Sequence, residues 1–219
     1  MNKFERRYSP AKAALESDGL SGLGLDIDET LAGTNIYWAG LILKRYGHPD
    51  FHDPTKIIQT HGYVRNVPEW QTEEIQAEVN RFIHSDEVVL SIPPVQDAQA
   101  GVAAIVKRKP LACYVTGRPQ EVGDATYKWL RKHGFPLVPV IFQPGNRDME
   151  GMGFENGSHW RAELMKFLYP AVDGIVDDNK EVLRYADGYK GKIYLLGGGT
   201  NGNPHVIGCP DWKAVVQAV

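Results

Sequence analysis

Short apolar, β-prone runs alternate with helix-like stretches along most of this chain, and that alternation restricts the fold more than any other feature. The runs are Leu23–Ile27, Leu111–Thr116, Leu137–Phe142, Val172–Val176 and Ile193–Leu196. Between most of them, apolar residues recur at helical spacing: Val102 with Ile105 and Val106, then Val122, Ala125 and Trp129. Asp211 stands as an N-cap before Trp212–Val219. Strands that alternate with helices predict an α/β protein on a doubly wound, mostly parallel sheet. In such sheets ligands sit beyond the carboxyl ends of the strands. The residues that end the strands are therefore the first candidates for chemistry.

The alternation breaks between Leu31 and Pro94. Ile36, Ala39, Leu43 and Tyr46 mark one amphipathic helix, and Ile75, Val79 and Phe82 mark another. Between them, Gly47–Pro68 is rich in His, Pro and polar residues, and Pro93-Pro94 closes the segment. Residues 32–94 thus read as a small helical insert placed directly after the first strand, over the site that strand creates. The α/β core is then residues 21–31 and 95–219, and residues 1–20 are an N-terminal extension. Within that extension Ala11–Glu16 predicts a short helix.

The chain has 219 residues, which suits a core domain with a small insert. Its net charge of -3 gives no wide basic field, so binding to a nucleic-acid polymer is not expected. Cys113 and Cys209 imply neither a disulfide framework nor a cysteine-rich zinc site. His48, His52 and His61 are not spaced like a metal site. Residues 1–20 carry Lys3, Arg6 and Arg7 but no apolar stretch of signal-peptide length. No run approaches the roughly 20 apolar residues that span a bilayer. These features predict a soluble, cytoplasmic protein with no membrane partner.

The strand ends carry a set of groups suited to one anion. After the first strand comes Asp26-Ile27-Asp28-Glu29-Thr30, two carboxylates two residues apart that can reach one small site. The second strand ends in Thr116-Gly117-Arg118, offering a hydroxyl and a backbone N–H that an anion can approach closely. The fourth ends in Asp177-Asp178-Asn179. Adjacent carboxylates at a strand end are costly unless a cation neutralises them, and oxygen-only ligands favour Mg²⁺ over zinc.

Taken in that order, the set resembles the haloacid dehalogenase-like (HAD) superfamily of phosphohydrolases. The resemblance spans essentially residues 21–200. The insert is placed like the family's helical cap, and Ser91-Ile92-Pro93-Pro94-Val95 is similar to the return from cap to core. Asn35, Trp38 and Tyr46-Gly47 after the first motif look most like nucleotidase-like members. The resemblance implies that Asp26 is a nucleophile forming an aspartyl-phosphate, and that Asp28 protonates the leaving oxygen and then activates water. It implies a Mg²⁺ site of Asp26, the Asp28 backbone carbonyl, and Asp177 or Asp178. Thr116 and the Gly117 N–H then hold phosphate oxygens. Glu29 departs from the Gly often found at its position in cap-bearing relatives.

The family also uses a basic residue before the acidic pair, and two candidates precede Asp177. The family's usual Lys favours Lys166. Helix geometry favours Arg161, because Lys166 lies five residues, roughly 7.5 Å, further along the helix. The expected activity is Mg²⁺-dependent hydrolysis of a small phosphorylated substrate, with a nucleoside monophosphate as one candidate. A phosphotransferase or phosphomutase shares the first step, and a non-catalytic HAD-like binding protein would lack the acidic set. A dehalogenase has no need of the acid at Asp28. Asn35, Trp38, His61, Tyr63, Arg65 and Trp70 are insert residues that could face substrate, with core packing favoured for both tryptophans. Arg118 reads equally as a substrate contact, a salt bridge to the insert or a surface charge. Gln143–Ser158 reads as a long polar loop or flap.

Overall fold

The structure, a computed structural model, describes residues 1–17, 21–200 and 202–219. Residues 18–20, the end of the expected extension, lie outside the described part. The elements run α1 (Lys3–Ser17), β1 (Gly22–Asp26), α2 (Thr34–Tyr46), α3 (Pro54–His61), α4 (Glu73–Ile83), α5 (Asp86–Ser91) and α6 (Ala98–Ile105). They continue with β2 (Leu111–Thr116), α7 (Gly123–Lys132), β3 (Val140–Phe142), α8 (Asn146–Gly151), α9 (Gly157–Leu168), β4 (Val172–Asp177), β5 (Lys192–Leu196), β6 (Val206–Cys209) and α10 (Trp212–Ala218).

Among the described residues the strands form one six-stranded sheet in the order β3-β2-β1-β4-β5-β6, and every pairing is parallel. The chain leaves β1 to build one half through β2 and β3, then returns to build the other through β4, β5 and β6. The direction of winding reverses at β1, which is where an open α/β sheet leaves a crevice beyond its strand ends. One face of the sheet packs on α6, α7 and α10 through Val102, Ile105, Trp129, Leu130, Trp212 and Val215. The other packs on α1, α8 and α9 through Tyr8, Leu15, Met149, Trp160 and Leu164. The helices between β1 and β2 share a separate apolar cluster that includes Ala39, Ile42, Ile57, Trp70, Ile75, Val79 and Phe82.

Four local expectations are corrected. The first helix runs from Lys3 to Ser17, not from residue 11, and contains Pro10. Pro10 removes an N–H from the helix interior, but Phe4, Tyr8, Ala11 and Leu15 form one apolar stripe that packs on the sheet's second face across it. The Tyr8 hydroxyl also accepts the indole N–H of Trp160 at 2.9 Å. In α2 the buried residues are Thr34, Ala39 and Ile42, while Ile36 is 40% exposed, so the helix is rotated from the face its sequence suggested. Leu137–Phe142 yields a strand only at Val140–Phe142, with Leu137 51% exposed, because Pro139 interrupts the run. Gln143–Ser158 is not a plain loop: it contains α8 and the start of α9. The edge strand β6 is additional to the expected strands, being four residues with a glycine at position 208. Among the described residues, no helix is long and apolar enough to cross a membrane.

Candidate active site

Asp26 ends β1, Thr116 ends β2 and Asp177 ends β4, so the sheet itself brings these groups to one crevice. All three are buried, at 2%, 0% and 0% exposure. Arg161, from the first turns of α9, reaches into the same space and is 8% exposed. Its Nη1 lies 2.8 Å from both Asp26 Oδ1 and Asp177 Oδ2. The contact to Asp177 is an aligned hydrogen bond. The contact to Asp26 is an ion pair by distance only, and Asp26 Oδ1 is buried with no hydrogen-bond donor. Lys166 is not in the cluster. One further turn along α9, it donates to Glu163 at 2.7 Å.

The Asp26 loop is held from several sides. The Thr30 hydroxyl lies 3.3 Å from Asp26 Oδ2 and 3.4 Å from Asp178 Oδ1, and can donate to either. The Thr30 carbonyl accepts the indole N–H of Trp212 at 3.0 Å, tying the loop to α10. Asp177 Oδ1 accepts the backbone N–H of Asn179 at 2.9 Å. Glu29 has a left-handed backbone, φ 64°, where glycine is the easy residue. Its Oε1 accepts the Asn35 N–H at 2.6 Å, capping the start of α2, which has no side-chain cap of its own at Gly33.

Asp28 has different company. Arg118 Nε is 3.1 Å from both its carboxylate oxygens, and Arg118 Nη2 is 2.9 Å from Oδ1. The Thr34 hydroxyl donates to Oδ1 at 2.6 Å and the Thr116 hydroxyl to Oδ2 at 3.4 Å. The expectation for Arg118 resolves to a buried partner of Asp28, only 5% exposed. Gly117 lines the space beside it, and an added Cβ there would make only ordinary contact with Gln143, so the fold does not itself require the glycine.

Electrostatics separate the two aspartates. Burial pushes the Asp26 carboxyl well above the usual range; Arg161 opposes this, while Asp177, Asp178 and Asp28 add to it. Burial and the neighbouring Asp177 push Asp178 up to about 8. For Asp28 burial also works against the charge, but the Arg118 guanidinium and the hydrogen bonds from Arg118 and Thr34 outweigh it and hold the carboxyl low. Burial disfavours the charge on Arg161, yet Asp177 and Asp26 outweigh it and fix the guanidinium as a cation.

Asp26, Asp177 and Asp178 offer ligand oxygens that all lie within 4.8 Å of one another. Four carboxylates in this space face two guanidiniums, so full ionisation leaves an excess of two negative charges, which is what burial resists at Asp26 and Asp178. A divalent cation neutralises that excess, and the donorless Asp26 Oδ1 is a free ligand for it, so these residues fit an oxygen-coordinated metal. A second cluster, His48, His61 and Glu69, has comparable spacing in space though not in sequence. There, His48 Nδ1 accepts the N–H groups of Asp50 at 3.1 Å and Phe51 at 3.3 Å. The ring proton is therefore on Nε2, 3.2 Å from Glu69 Oε2, and a protonated nitrogen has no lone pair for a metal.

Two cavities meet at the crevice. An open cleft of about 1240 Å³ is lined by Glu29, Gln143, Arg161, Asp178 and Lys180. A smaller chamber of about 380 Å³ lies between the core and the insert, lined by Asp28, Trp38, Val79, Ile83, Gly117 and Arg118. Tyr63 and Arg65 line both. Asn35 and Trp38 face the chamber, whereas Trp70 is buried in the insert, donating to the Gly47 carbonyl at 3.0 Å. His61 packs beside His48, with ring centroids 6.4 Å apart. Glu29 and Thr34 were not among the expected site residues. Thr34 has no local signal, since it meets Asp28 only through the turn between β1 and α2.

Solved structures share this architecture. A haloacid dehalogenase-like family hydrolase from Streptococcus pneumoniae aligns with a TM-score of 0.60 at 16% identity, over 92% of this chain and 99% of that one. The fold is the haloacid dehalogenase-like fold. A HAD-superfamily hydrolase of subfamily IA from Geobacter sulfurreducens aligns at 0.54 and 12% identity, over 91% and 96% of the two chains. A dehalogenase aligns at 0.52 and 13% identity, over 92% and 98%. No protein-family model matches the chain. No curated protein matches it either.

Proposed function

We propose that this chain is a Mg²⁺-dependent phosphatase that hydrolyses a small phosphomonoester through an aspartyl-phosphate on Asp26. The observation that carries this reading is the Asp26 carboxylate itself. It is buried at a strand end, with one oxygen lacking any donor, among Asp177, Asp178 and Arg161. The ion would be held by Asp26, the Asp28 backbone carbonyl and the Asp177-Asp178 pair, and would neutralise charge on the phosphoryl group when bound.

The chain's own residues divide the remaining work. Arg161 and the Thr30 hydroxyl fix the Asp26 carboxylate. One Asp26 oxygen attacks phosphorus, and the bond from phosphorus to the leaving oxygen breaks. The proton for that oxygen passes through Asp28, which rests ionised beside Arg118 and takes it up from the substrate's phosphate monoanion. The Thr116 hydroxyl and the Gly117 N–H hold phosphate oxygens as charge shifts onto them. Asp28 then takes a proton from water, whose oxygen attacks phosphorus, releasing phosphate and restoring Asp26. Residues 32–94 act as a cap, and the chamber they enclose receives the leaving group. Trp38 in its wall suits the flat base of a nucleoside monophosphate. One structural neighbour is a dehalogenase; halide displacement needs the nucleophile but not the excess of carboxylates seen here.

A panel of phosphate esters that includes nucleoside monophosphates tests the reading. We expect inorganic phosphate to accumulate with at least one ester in the presence of Mg²⁺ and to cease on chelation. Full turnover after metal stripping, or transfer of phosphate to an alcohol in place of release, contradicts it.

A further inference from the structure

We propose that Arg118 is a positioning residue for Asp28, holding the carboxylate toward the chamber where the leaving group sits. The inference rests on the acid–base reading of Asp28 and assigns a role to a residue outside the nucleophile, metal and phosphate sets. Arg118 is itself fixed from behind. Its Nη1 lies 3.4 Å from the Thr126 hydroxyl, whose own proton goes to the Val122 carbonyl at 2.9 Å. Its guanidinium carbon sits 5.6 Å from the centroid of the Trp129 ring, and that ring is anchored by its N–H to the Ile92 carbonyl at 2.7 Å. Its backbone N–H donates to the Thr116 hydroxyl at 3.1 Å. The fork is thus oriented by α7 and the β2 end, and Asp28 takes its direction from it.

The contacts on Asp28 also differ in which can be released. Oδ1 is held by Thr34 at 2.6 Å, by Arg118 Nη2 at 2.9 Å and by Arg118 Nε at 3.1 Å. Oδ2 is held by Arg118 Nε at 3.1 Å and, at 3.4 Å, by the Thr116 hydroxyl. That last contact is the longest, and it is the one given up when Thr116 turns to a phosphate oxygen. Oδ2 then has a free position on a residue that lines the chamber, while Arg118 keeps the carboxylate in register. Without Arg118, Asp28 is left with hydroxyl donors alone, and the proton it delivers is no longer aimed at the leaving oxygen.

Proton donation matters for an alkyl phosphate, whose alkoxide is a poor leaving group, and far less for 4-nitrophenyl phosphate. We expect Arg118→Ala to lower kcat on an alkyl phosphate at least tenfold more than on 4-nitrophenyl phosphate, and Arg118→Lys to recover part of that difference. Asp28→Asn should show the same leaving-group bias, and adding Arg118→Ala to it should not enlarge the bias. An equal loss on both substrates, as misfolding or lost packing would give, overturns the inference, as does an enlarged bias in the double variant. If Asp28→Asn shows the bias and Arg118→Ala does not, only the role of Arg118 falls. If Asp28→Asn shows no bias, the acid role of Asp28 falls and takes this inference with it.

Discussion

Asp26 and Asp28 stand two residues apart, yet the fold gives them opposite electrostatic surroundings. Asp26 is buried among carboxylates with a single guanidinium beside it, while Asp28 is clasped by Arg118 and two hydroxyls. Arg161 carries the cluster, and its removal strands Asp26 and Asp177 without a counter-charge. Breaking such a buried pair costs about 3–5 kcal/mol. Arg161→Ala should therefore lower the unfolding midpoint measurably and abolish turnover. Lys166→Ala removes a half-buried ion pair with Glu163, outside the cluster and worth about 1 kcal/mol, and should leave both nearly unchanged. Equal effects of the two substitutions contradict the assignment. The raised Asp178 carboxyl gives a pH test. A carboxyl pushed up to about 8 loses more free energy on charging in the folded state than in the unfolded one. Metal-free protein should thus lose stability as pH rises from about 4 toward 8. Mg²⁺ should raise the melting temperature more at pH 8.5 than at pH 6, and an equal increment at both pH values contradicts this.

At the scale of elements, legibility followed the strength of local pattern. Leu111–Thr116 was readable to the residue because every position is buried, so the run is unbroken. Ile75, Val79 and Phe82 predicted the buried face of α4 for the same reason. Patterns failed where tertiary packing overrode a local signal. Pro10 disguised α1, whose apolar stripe has meaning only against the sheet. Asp53-Pro54 is a helix-start signature that marks α3, with Asp53 accepting the Thr55 N–H, yet it was hidden within a polar stretch. The strand ends named Asp26, Asp28, Thr116 and Asp177 because sheet topology alone gathers them. The company of Asp28 was not legible, since Thr34 and Arg118 meet it only through the folded turn. Glu29 shows the element scale acting on the site. Glu29→Ala keeps the left-handed backbone cost and loses the cap on α2, whereas Glu29→Gly loses the cap but relieves the backbone, a difference of about 1–2 kcal/mol. Glu29→Ala should be the less stable variant in denaturant unfolding. The reverse order contradicts the strain argument.

Across the whole molecule, one sheet carries two apolar faces and the insert carries a third cluster of its own. The sheet supplies a rigid frame for Asp26, Thr116 and Asp177, while the insert supplies the walls of the chamber. Cys113 lies in β2 with burial pushing its thiol up to about 12, and burial followed by Asp211 raises Cys209. Neither should react with a thiol reagent in the native state, and labelling should follow unfolding of the core. Rapid labelling of Cys113 in buffer contradicts a continuous sheet. The central claim, that Asp26 is the nucleophile of a phosphate site, is tested most directly by phosphate release from the Asp26→Asn variant. With Mg²⁺ and the best ester of the panel, the variant should fold as the parent does and turn over at least ~10³-fold more slowly. Turnover at the parental rate would contradict the account.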